Sequence, residues 1–339
     1  MGGRVVVVTG GTSGVGRAVA REFAARGDRV AVLARGRQGL AATLTELTAH
    51  GHPGLALPVD VADAEQVEQA AEQVERELGP LDVWVNCAMT GVLAPFLEVS
   101  AQEYARVTAV TYLGSVHGTS AALKRMVPRD RGHVIQVGSA LAFRGIPLQS
   151  AYCGAKHALN GLLDSVRAEL VHDRSAVRIS SVHLPATNTP QFEQVLNKTG
   201  RHGQPVAPIY QPEVAARAVR WSADHPRRRE VWVGVPTVGT IWGGRLAPRL
   251  LDRYLGRTGY AGQQTDEPWP PDAPHYLFDP VEGDKGAHGV FGEQSHARSV
   301  QQPLSRHHGV VVAGALLAGL AAAAALRSID VRDRDRAWR

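Results

Sequence analysis

The sequence predicts an α/β fold in which a doubly wound parallel sheet carries helices on both faces. The first observation is a continuous apolar run at residues 4–8, which is typical of a strand buried on both faces. The second is a glycine-rich turn that joins this run to a helical pattern ending at Gly27. The third is a regular alternation of strand and helix patterns as far as Gly234. Such alternation indicates parallel strands joined by right-handed helical crossovers.

The turn after the first strand lies between a buried strand and a helix. Glycines permit a tight turn and a close backbone approach, and the helix N-terminus offers unpaired N–H groups and the positive end of a dipole. A glycine-rich loop alone is often only a turn, but this position favours a cradle for the phosphates of a dinucleotide. The predicted cofactor-binding residues of the turn are Gly10, Thr12, Ser13, Gly14, Val15 and Gly16.

The second predicted strand, residues 29–33, ends in a basic loop that contains Arg35 and Arg37. In dinucleotide folds an acidic residue at this place hydrogen-bonds the ribose 2′-hydroxyl, whereas an arginine accommodates a 2′-phosphate. No acid follows this strand. An ordinary basic loop is the alternative interpretation, but the missing acid favours NADP over NAD, with Arg35 meeting the phosphate.

Helical and strand patterns continue to alternate along the chain. A helix over residues 38–50 leads to a strand at 55–58, and Asp63 is the predicted N-cap of a helix that ends at Gly79. Later strands are predicted at 81–86, 133–138, 177–183 and 231–234, and later helices from Ser150 onwards and at 212–223.

Ser139 closes the strand at 133–138, and Tyr152 and Lys156 follow on the helix that begins near Ser150. Their spacing places the tyrosine hydroxyl and the lysine ammonium on one helical face. A nearby cation favours the phenolate and brings the pKa of a tyrosine, about 10 in model peptides, towards working pH. Such pairs also occur by chance on solvated helices. Here the context predicts proton transfer on or off an alcohol or carbonyl oxygen, with Ser139 supplying a hydroxyl.

Five motifs together make the chain resemble the short-chain dehydrogenase/reductase family, in both order and spacing. They are Thr9-Gly10-x-x-x-Gly14-x-Gly16, Asp60-Val61, Asn86-Cys87-Ala88, Ser139 and Tyr152-x-x-x-Lys156. The match covers about residues 4–236, and the spacing of the first glycines is similar to that of the non-extended branch. The resemblance implies a Rossmann-like sheet and an NAD(P)-dependent enzyme that acts on CH–OH groups.

The resemblance also implies a role for each matching residue. Ser139 would position and polarise the carbonyl, Tyr152 would be the acid/base, and Lys156 would bind the nicotinamide ribose and lower the pKa of Tyr152. The remaining implied cofactor contacts are Asp60 and Val61 at the adenine, Asn86 and Ala88 along the adenosine, and Thr187 and Thr189 at the nicotinamide carboxamide. No metal ion is implied.

Three places depart from the family pattern. Thr111 stands where the family has a fourth catalytic residue, an asparagine, and its hydroxyl and backbone carbonyl still allow a water relay behind Lys156. Met89 is a bulky side chain where the pattern has none, and residues 184–189 replace a Pro-Gly-x-Val-x-Thr stretch. None of these changes removes the proton-transfer residues, and Thr111 stays in the predicted catalytic set.

Composition excludes several classes of protein. The chain has 339 residues, of which 44% are hydrophobic and 20% charged, so it is globular. Two cysteines provide no disulfide framework, and the chain enters a strand almost at once, so we expect a cytoplasmic protein. The net charge of +5 comes from scattered arginines without a nucleic-acid module, so no nucleic-acid partner is expected.

The pattern changes after the catalytic domain, which we place at residues 1–236. Residues 237–308 are rich in proline and glycine, with one predicted helix at 246–255, and are expected to cover the cleft or an oligomer surface. Residues 309–326 are uncharged and apolar, and the tail at 327–339 is rich in arginine. We expect residues 309–339 to form a hydrophobic helix that either contacts the membrane or docks on protein.

The predicted function is an NADP-preferring oxidoreductase that interconverts an alcohol and a ketone or aldehyde. Two alternatives remain: a catalytically weak NAD(P)-binding scaffold or sensor, and an isomerase or dehydratase that uses the cofactor transiently. The substrate is expected to be a small and apolar molecule, bound by Leu141, Phe143, Arg144, Ile146 and residues 191–208. The family commonly pairs the helix that carries the tyrosine with its copy, so we expect a homodimer or homotetramer.

Overall fold

The computed structural model of the chain describes residues 3–49 and 51–306. Its central sheet has seven strands, which are β1 (Val5–Thr9), β2 (Arg29–Ala34), β3 (Gly54–Pro58), β4 (Val83–Asn86), β5 (His133–Ser139), β6 (Arg178–Leu184) and β7 (Glu230–Trp232). They are parallel and lie in the order β3-β2-β1-β4-β5-β6-β7. The order reverses at β1, as in a doubly wound sheet. The predicted fold class is confirmed.

Helices cover both faces of this sheet. They are α1 (Gly14–Ala24), α2 (Arg37–Thr48), α3 (Ala64–Leu78), α4 (Ala101–Thr108), α5 (Gly114–Met126), α6 (Ser150–His172) and α7 (Pro212–Asp224). A π-helical turn, Ala109–Leu113, joins α4 to α5.

The valines of β1 pack into the hydrophobic cores on both faces of the sheet. Side chains of a strand alternate between its faces. Val6 and Val8 therefore enter the core shared with α1 and α7, whereas Val5 and Val7 enter the core shared with α3, α5 and α6. All four are fully buried, and each burial is worth about 1.5–3 kcal/mol. The unbroken apolar run thus predicts burial on both faces correctly.

The ends of α3 follow the predicted signals. The Asp63 carboxylate accepts hydrogen bonds from the backbone N–H groups of Glu65 at 2.9 Å and Gln66 at 3.1 Å. Gly79 follows the last residue with a φ of 98°, which favours glycine. This cap and this stop fix the helix between β3 and β4.

The region after β7 contains two helices where the sequence predicted one. They are α8 (Val235–Leu246) and α9 (Pro248–Thr258), and Ala247 between them has a non-helical backbone. A proline favours the first turn of a helix and disfavours its interior, so Pro248 begins a new helix. The later strands Gln264–Pro268 and Ser295–His296 pair with Arg201–Gly203 and Ile209–Tyr210 respectively. The region is therefore tied to the segment that follows β6.

Of the described residues, those up to Ser299 belong to one compact unit, and a second begins at Val300. In the second unit the structure describes one short helix, α10 (Gln301–Arg306). The predicted hydrophobic helix and arginine-rich tail at 309–339 lie outside the described residues. Within 3–49 and 51–306, none of the helices combines the length and the apolar character needed to span a bilayer.

Candidate active site

A cavity of about 710 Å³ lies at the carboxyl edge of the sheet. Its walls come from the glycine turn after β1 and from the ends of β2, β3, β4, β5 and β6. Ligands of doubly wound sheets bind at this edge, where the order of the strands reverses. The sequence-predicted residues that line it are Gly10, Thr12, Ser13, Gly14, Val15, Arg35, Asp60, Val61, Ala88, Ser139, Tyr152, Lys156, Thr187 and Thr189.

The glycine turn leaves no room for side chains at two of its positions. A Cβ on Gly10, whose φ is +67°, would lie 2.7 Å from the Cα of Ala88. A Cβ on Gly16 would lie 2.2 Å from the carbonyl oxygen of Gly10, so Gly16 serves the packing of the turn and does not itself line the cavity. A tight turn of this kind between a buried strand and the N-terminus of α1 is the arrangement that binds dinucleotide phosphates in this fold class.

Of the residues expected on the adenosine side, Asp60 lines the cavity and Asn86 does not. One Asp60 oxygen accepts the N–H of Ala62 at 3.0 Å, and the other accepts a hydrogen bond from Arg106 at 2.6 Å. Asn86 is buried and does not line the cavity. Its side chain donates to the Ser115 carbonyl and the Thr119 hydroxyl of α5 at 3.3 and 3.0 Å. Successive strand side chains point to opposite faces, and that of Asn86 points into the core.

The proton-transfer residues converge on one wall of the cavity. Ser139 is the last residue of β5, and Tyr152 and Lys156 lie in the first two turns of α6. The Lys156 Nζ is 5.6 Å from the centre of the Tyr152 ring and donates to the Val137 carbonyl at 2.9 Å. The backbone N–H of Leu141 donates to the Ser139 hydroxyl at 3.1 Å, which fixes that side chain.

Burial dominates the protonation of these groups. It raises the pKa of the Tyr152 hydroxyl, and a hydrogen bond with Ser139 acts in the opposite direction. Burial also lowers the pKa of the Lys156 ammonium to about 8. For Tyr152, desolvation of the phenol outweighs the hydrogen bond with Ser139, so the net direction of the pKa shift is upward. Lys156 is buried, whereas Tyr152 is half-buried at the wall of the cavity.

The Thr111 hydroxyl contacts the backbone of the loop after β4. It donates to the Thr90 carbonyl at 2.9 Å and accepts the Thr90 N–H at 3.0 Å. The residue is fully buried in the π-helical turn and does not line the cavity. Thr111 therefore fixes the loop after β4, and its hydroxyl both donates and accepts a hydrogen bond in this contact.

The substrate half of the cavity agrees with most of the predicted pocket. Leu141, Arg144 and Ile146 line it, as do residues from the segment 191–208. Phe143 does not, because its ring packs edge-on against His183 at 4.7 Å between ring centres. Helix α9 lies in the region expected to cover the cleft or an oligomer surface, and it adds an apolar wall formed by Leu251, Tyr254 and Leu255.

A second set of lining residues lies in residues 276–289, here called the strap, within the extension expected to cover the cleft or an oligomer surface; sequence reasoning assigned no individual residue of it to the site. Tyr276, Pro280, Val281, Gly283 and Lys285 all line the cavity. The Arg35 guanidinium donates to the backbone carbonyls of Tyr276 and Phe278. The segment has no helical or strand period, so its prolines and glycines predicted irregular structure but not its location.

Comparisons with known proteins agree with this geometry. The family model for the short chain dehydrogenase matches residues 4–200. An uncharacterized oxidoreductase, YxnA of Bacillus subtilis (strain 168), is 32% identical over 332 residues, or 96% of this chain and 90% of the relative. A 3-dehydrosphinganine reductase of Danio rerio is 34% identical over 204 residues, which cover 59% of this chain and 60% of the reductase.

Two solved structures are similar as well. An alcohol dehydrogenase from the archaeon Thermococcus sibiricus, complexed with 5-hydroxy-NADP, has a TM-score of 0.58 and 26% identity. The likeness covers 68% of this chain and 95% of that one. A short-chain dehydrogenase from Streptomyces avermitilis has a TM-score of 0.64 at 24% identity over 77% of this chain and 98% of that one, which is a likeness of fold.

Proposed function

The chain belongs to the short-chain dehydrogenase/reductase family and is an NAD(P)-dependent oxidoreductase, and we propose that it interconverts an alcohol and a ketone or aldehyde with a preference for NADP. The observation that carries this proposal is the convergence of Ser139, Tyr152 and Lys156 on the cavity that also contains the bare glycine turn. A cavity with both features brings a proton donor to the place where a dinucleotide fits.

When bound, the nicotinamide supplies a hydride to the carbonyl carbon or accepts it from the alcohol carbon. Tyr152 gives a proton to the substrate oxygen in reduction and removes it in oxidation. Ser139 donates a hydrogen bond to the same oxygen and so stabilises the charge that develops there. The Lys156 ammonium, with a pKa of about 8, is mostly charged at pH 7 and would hold the cofactor ribose.

The proposed preference for NADP rests on the end of β2. No acidic residue follows this strand, and Arg35 lies at the cavity wall. A ribose 2′-hydroxyl would lack its usual acceptor there, whereas a 2′-phosphate would meet positive charge. The alcohol dehydrogenase of known structure, which was solved with 5-hydroxy-NADP, is consistent with this choice.

The proposed substrate is an apolar carbonyl compound. Leu141, Ile146, Phe192, Leu251 and Leu255 give the far half of the cavity an aliphatic and aromatic lining. The charged Arg144 in this half is paired with Asp252, so its charge is already balanced. The relative named as a 3-dehydrosphinganine reductase makes a ketone on a long aliphatic chain a reasonable first member of the panel below.

The experiment is a screen of NADPH oxidation by the full chain against ketones and aldehydes of increasing aliphatic length. We expect turnover that rises with chain length and is faster with NADPH than with NADH. Absence of turnover across the panel, together with tight NADPH binding, would favour the second candidate, a binding scaffold or sensor. The bond between Thr111 and Thr90 favours that candidate, because it removes a side chain from the relay behind Lys156.

We propose a homodimer or homotetramer that forms through α6. Gly154, Ala158 and Gly161 lie exposed along this helix, and a Cβ placed on either glycine would meet nothing within 4 Å. Small residues allow a second helix to approach closely. Sedimentation of the full chain that shows only monomer at micromolar concentration would contradict this assembly.

A further inference from the structure

The strap crosses the carboxyl edge of the sheet from one side of the cavity to the other. At its beginning the Leu277 carbonyl accepts a hydrogen bond from Arg106 at 3.0 Å, on the side of β3 and Asp60. Near its end the backbone N–H of Gly289 approaches the Asn188 carbonyl, just after β6, at 3.4 Å. The segment between these points therefore passes over the place where the adenosine half of a dinucleotide would lie.

Two buried residues anchor the strap. Leu277 is fully buried among Val92, Ala94, Val107 and Ala151. Ala287 is 1% exposed and belongs to the core that α1 and α7 share with the sheet. Between them, Pro280, Val281 and Gly283 line the cavity, so the strap is fixed at both ends and faces the ligand space in its middle.

Polar contacts fasten the middle of the strap to the first helix. The Arg17 guanidinium, whose side chain is 2% exposed, pairs with Asp284 of the strap and with Glu46 of α2. The N–H of Gly14 donates to the Gly286 carbonyl at 3.0 Å, so an amide of the glycine turn is satisfied by the strap. The ion pair between Arg17 and Asp284 holds the strap against the start of α1.

Lys285 differs from the other cationic residues of the cavity. Arg35 donates to strap carbonyls, Arg144 pairs with Asp252, and Lys156 donates to the Val137 carbonyl. Within residues 3–49 and 51–306, Lys285 lines the cavity without an ion pair or a hydrogen bond. A Cβ placed on Gly283 would lie 3.7 Å from the Lys285 Nζ and 4.0 Å from the Gln38 Oε1, so the ammonium lies beside the first turn of α2.

We propose that the strap completes the cofactor site, with Lys285 binding the 2′-phosphate of NADP and the Arg17–Asp284 pair holding the strap over the bound nucleotide. The assignment to the 2′-phosphate rests on the proposed preference for NADP. The start of α2 is where this fold reads the ribose 2′-substituent, and a lysine binds phosphate as a point charge. Arg35 then has a double role, because it supports the strap that carries the second cation.

The first arm of the test measures affinity for the nucleotides, not turnover. Dissociation constants of NADPH and NADH are obtained by fluorescence titration of the full chain and of Lys285→Ala. We expect NADPH to bind about tenfold more weakly, which corresponds to about 1.4 kcal/mol, and NADH to bind as before. Lys124→Ala is the matched control, because it removes one exposed lysine of α5 and should change neither constant.

The second arm measures how fast the nucleotide leaves. Asp284→Asn removes the ion pair with Arg17 while keeping the size of the side chain. Stopped-flow displacement should show NADPH and NADH leaving at least about fivefold faster, about 1 kcal/mol. Glu282→Gln, an exposed acid two residues away, is the control and should leave both rates unchanged.

The outcomes separate the proposals. Equal weakening of NADPH and NADH in Lys285→Ala would place the lysine at the pyrophosphate and overturn the assignment. Unchanged release from Asp284→Asn would overturn the closed strap. If the unmutated chain prefers NADH, the preference for NADP and the role of Lys285 both fail, whereas the release rates still decide whether the strap holds the nucleotide.

Discussion

The sheet and the strap line the same cavity but are held in place by different forces. The sheet is stabilised by repeated burial, as in β1, where four successive valines are fully buried. The strap has two buried anchors, Leu277 and Ala287, and otherwise depends on individual contacts with Arg17, Arg35 and Arg106. A periodic element tolerates the loss of one contact better than a segment whose few contacts are each unique. The following predictions test that difference.

The largest effect is expected on turnover, at Tyr152 beside the carboxyl edge of the sheet. Tyr152→Phe should lower turnover by roughly two to four orders of magnitude, the usual worth of a positioned acid/base. Binding of NADPH should stay within a factor of two or so, because the ring and its packing remain. Steady-state kinetics and titration measure the two quantities. Tyr260→Phe, on an exposed tyrosine of the later region, should leave turnover unchanged. Normal turnover by Tyr152→Phe would refute the mechanism.

The second prediction compares one buried leucine from each region. Leu163 lies in the core under α6 and Leu277 anchors the strap, and both are at most 1% exposed. Truncation of a buried leucine to alanine costs about 2–5 kcal/mol. We expect Leu163→Ala to lose stability in the upper part of that range and Leu277→Ala in the lower part, because the strap can relax. Urea unfolding of the full chain measures both.

Only the change in the strap should also affect the ligand. Leu277→Ala should weaken NADPH binding, whereas Leu163→Ala should leave it as it was once the folded fraction is taken into account. A strap variant that unfolds at the same urea concentration as the unmutated chain and binds normally would show that the anchor is dispensable.

The third prediction concerns Arg35, where the two regions meet. Arg35→Asp should shift the preference from NADPH towards NADH, since a charge-assisted hydrogen bond to phosphate is worth about 1.5–3 kcal/mol. The same change removes two hydrogen bonds to the strap carbonyls, so NADH should also leave faster than from the unmutated chain. Competition titrations measure the preference. An unchanged ratio of the two affinities would contradict the role of Arg35.

The fourth prediction is a pH dependence of the free energy of unfolding that arises from a histidine in the sheet. Burial lowers the pKa of His133 in β5 to about 4, against 6.5 for the unperturbed group. Between these values the unfolded chain binds a proton that the folded chain does not, so stability falls as the pH falls from 6.5 towards 4. His133 should contribute up to about 1.4 kcal/mol per pH unit to this slope. His133→Gln should flatten the slope, and an unchanged slope would refute the assignment.

The smallest effect is expected at a helix cap. The Ser100 side chain accepts the Glu103 N–H at 3.2 Å, and the Glu103 carboxylate accepts the Ser100 N–H at 2.8 Å, which forms a capping box for α4. Ser100→Ala should lower the free energy of unfolding by about 1 kcal/mol. Thermal unfolding measures this loss, and turnover should not change, because the cap lies outside the cavity.

Much of the sheet could be predicted because its signals are local and periodic. The valine run, the cap at Asp63 and the glycines around Gly14 each indicate an element through residues that are neighbours in the sequence. The same holds for Tyr152 and Lys156, which one helix brings together. The direction of the Asn86 side chain and the bond between Thr111 and Thr90 depend on partners elsewhere in the chain, so a motif alone does not indicate these contacts.

The individual contacts of the strap could not be predicted because its partners are remote. Arg17 and Asp284 are separated by most of the chain, and neither residue indicates the other. Lys285 stands in a stretch of glycine, aspartate and proline that is compatible with any surface loop. Long-range pairs of this kind leave no period in the sequence, and a cation without a partner becomes notable only when the surrounding walls are known.

The buried position of Leu277 bears on the order in which the protein is made. During synthesis the sheet, complete at Trp232, leaves the ribosome well before residue 277 does. Until then the hollow formed by Val92, Ala94, Val107 and Ala151 has no side chain to fill it. Domains generally fold as they emerge, N-terminal parts first. We therefore expect a nascent chain arrested before residue 277 to bind a hydrophobic dye that the finished protein excludes, because the strap can pack only after the sheet has left the ribosome.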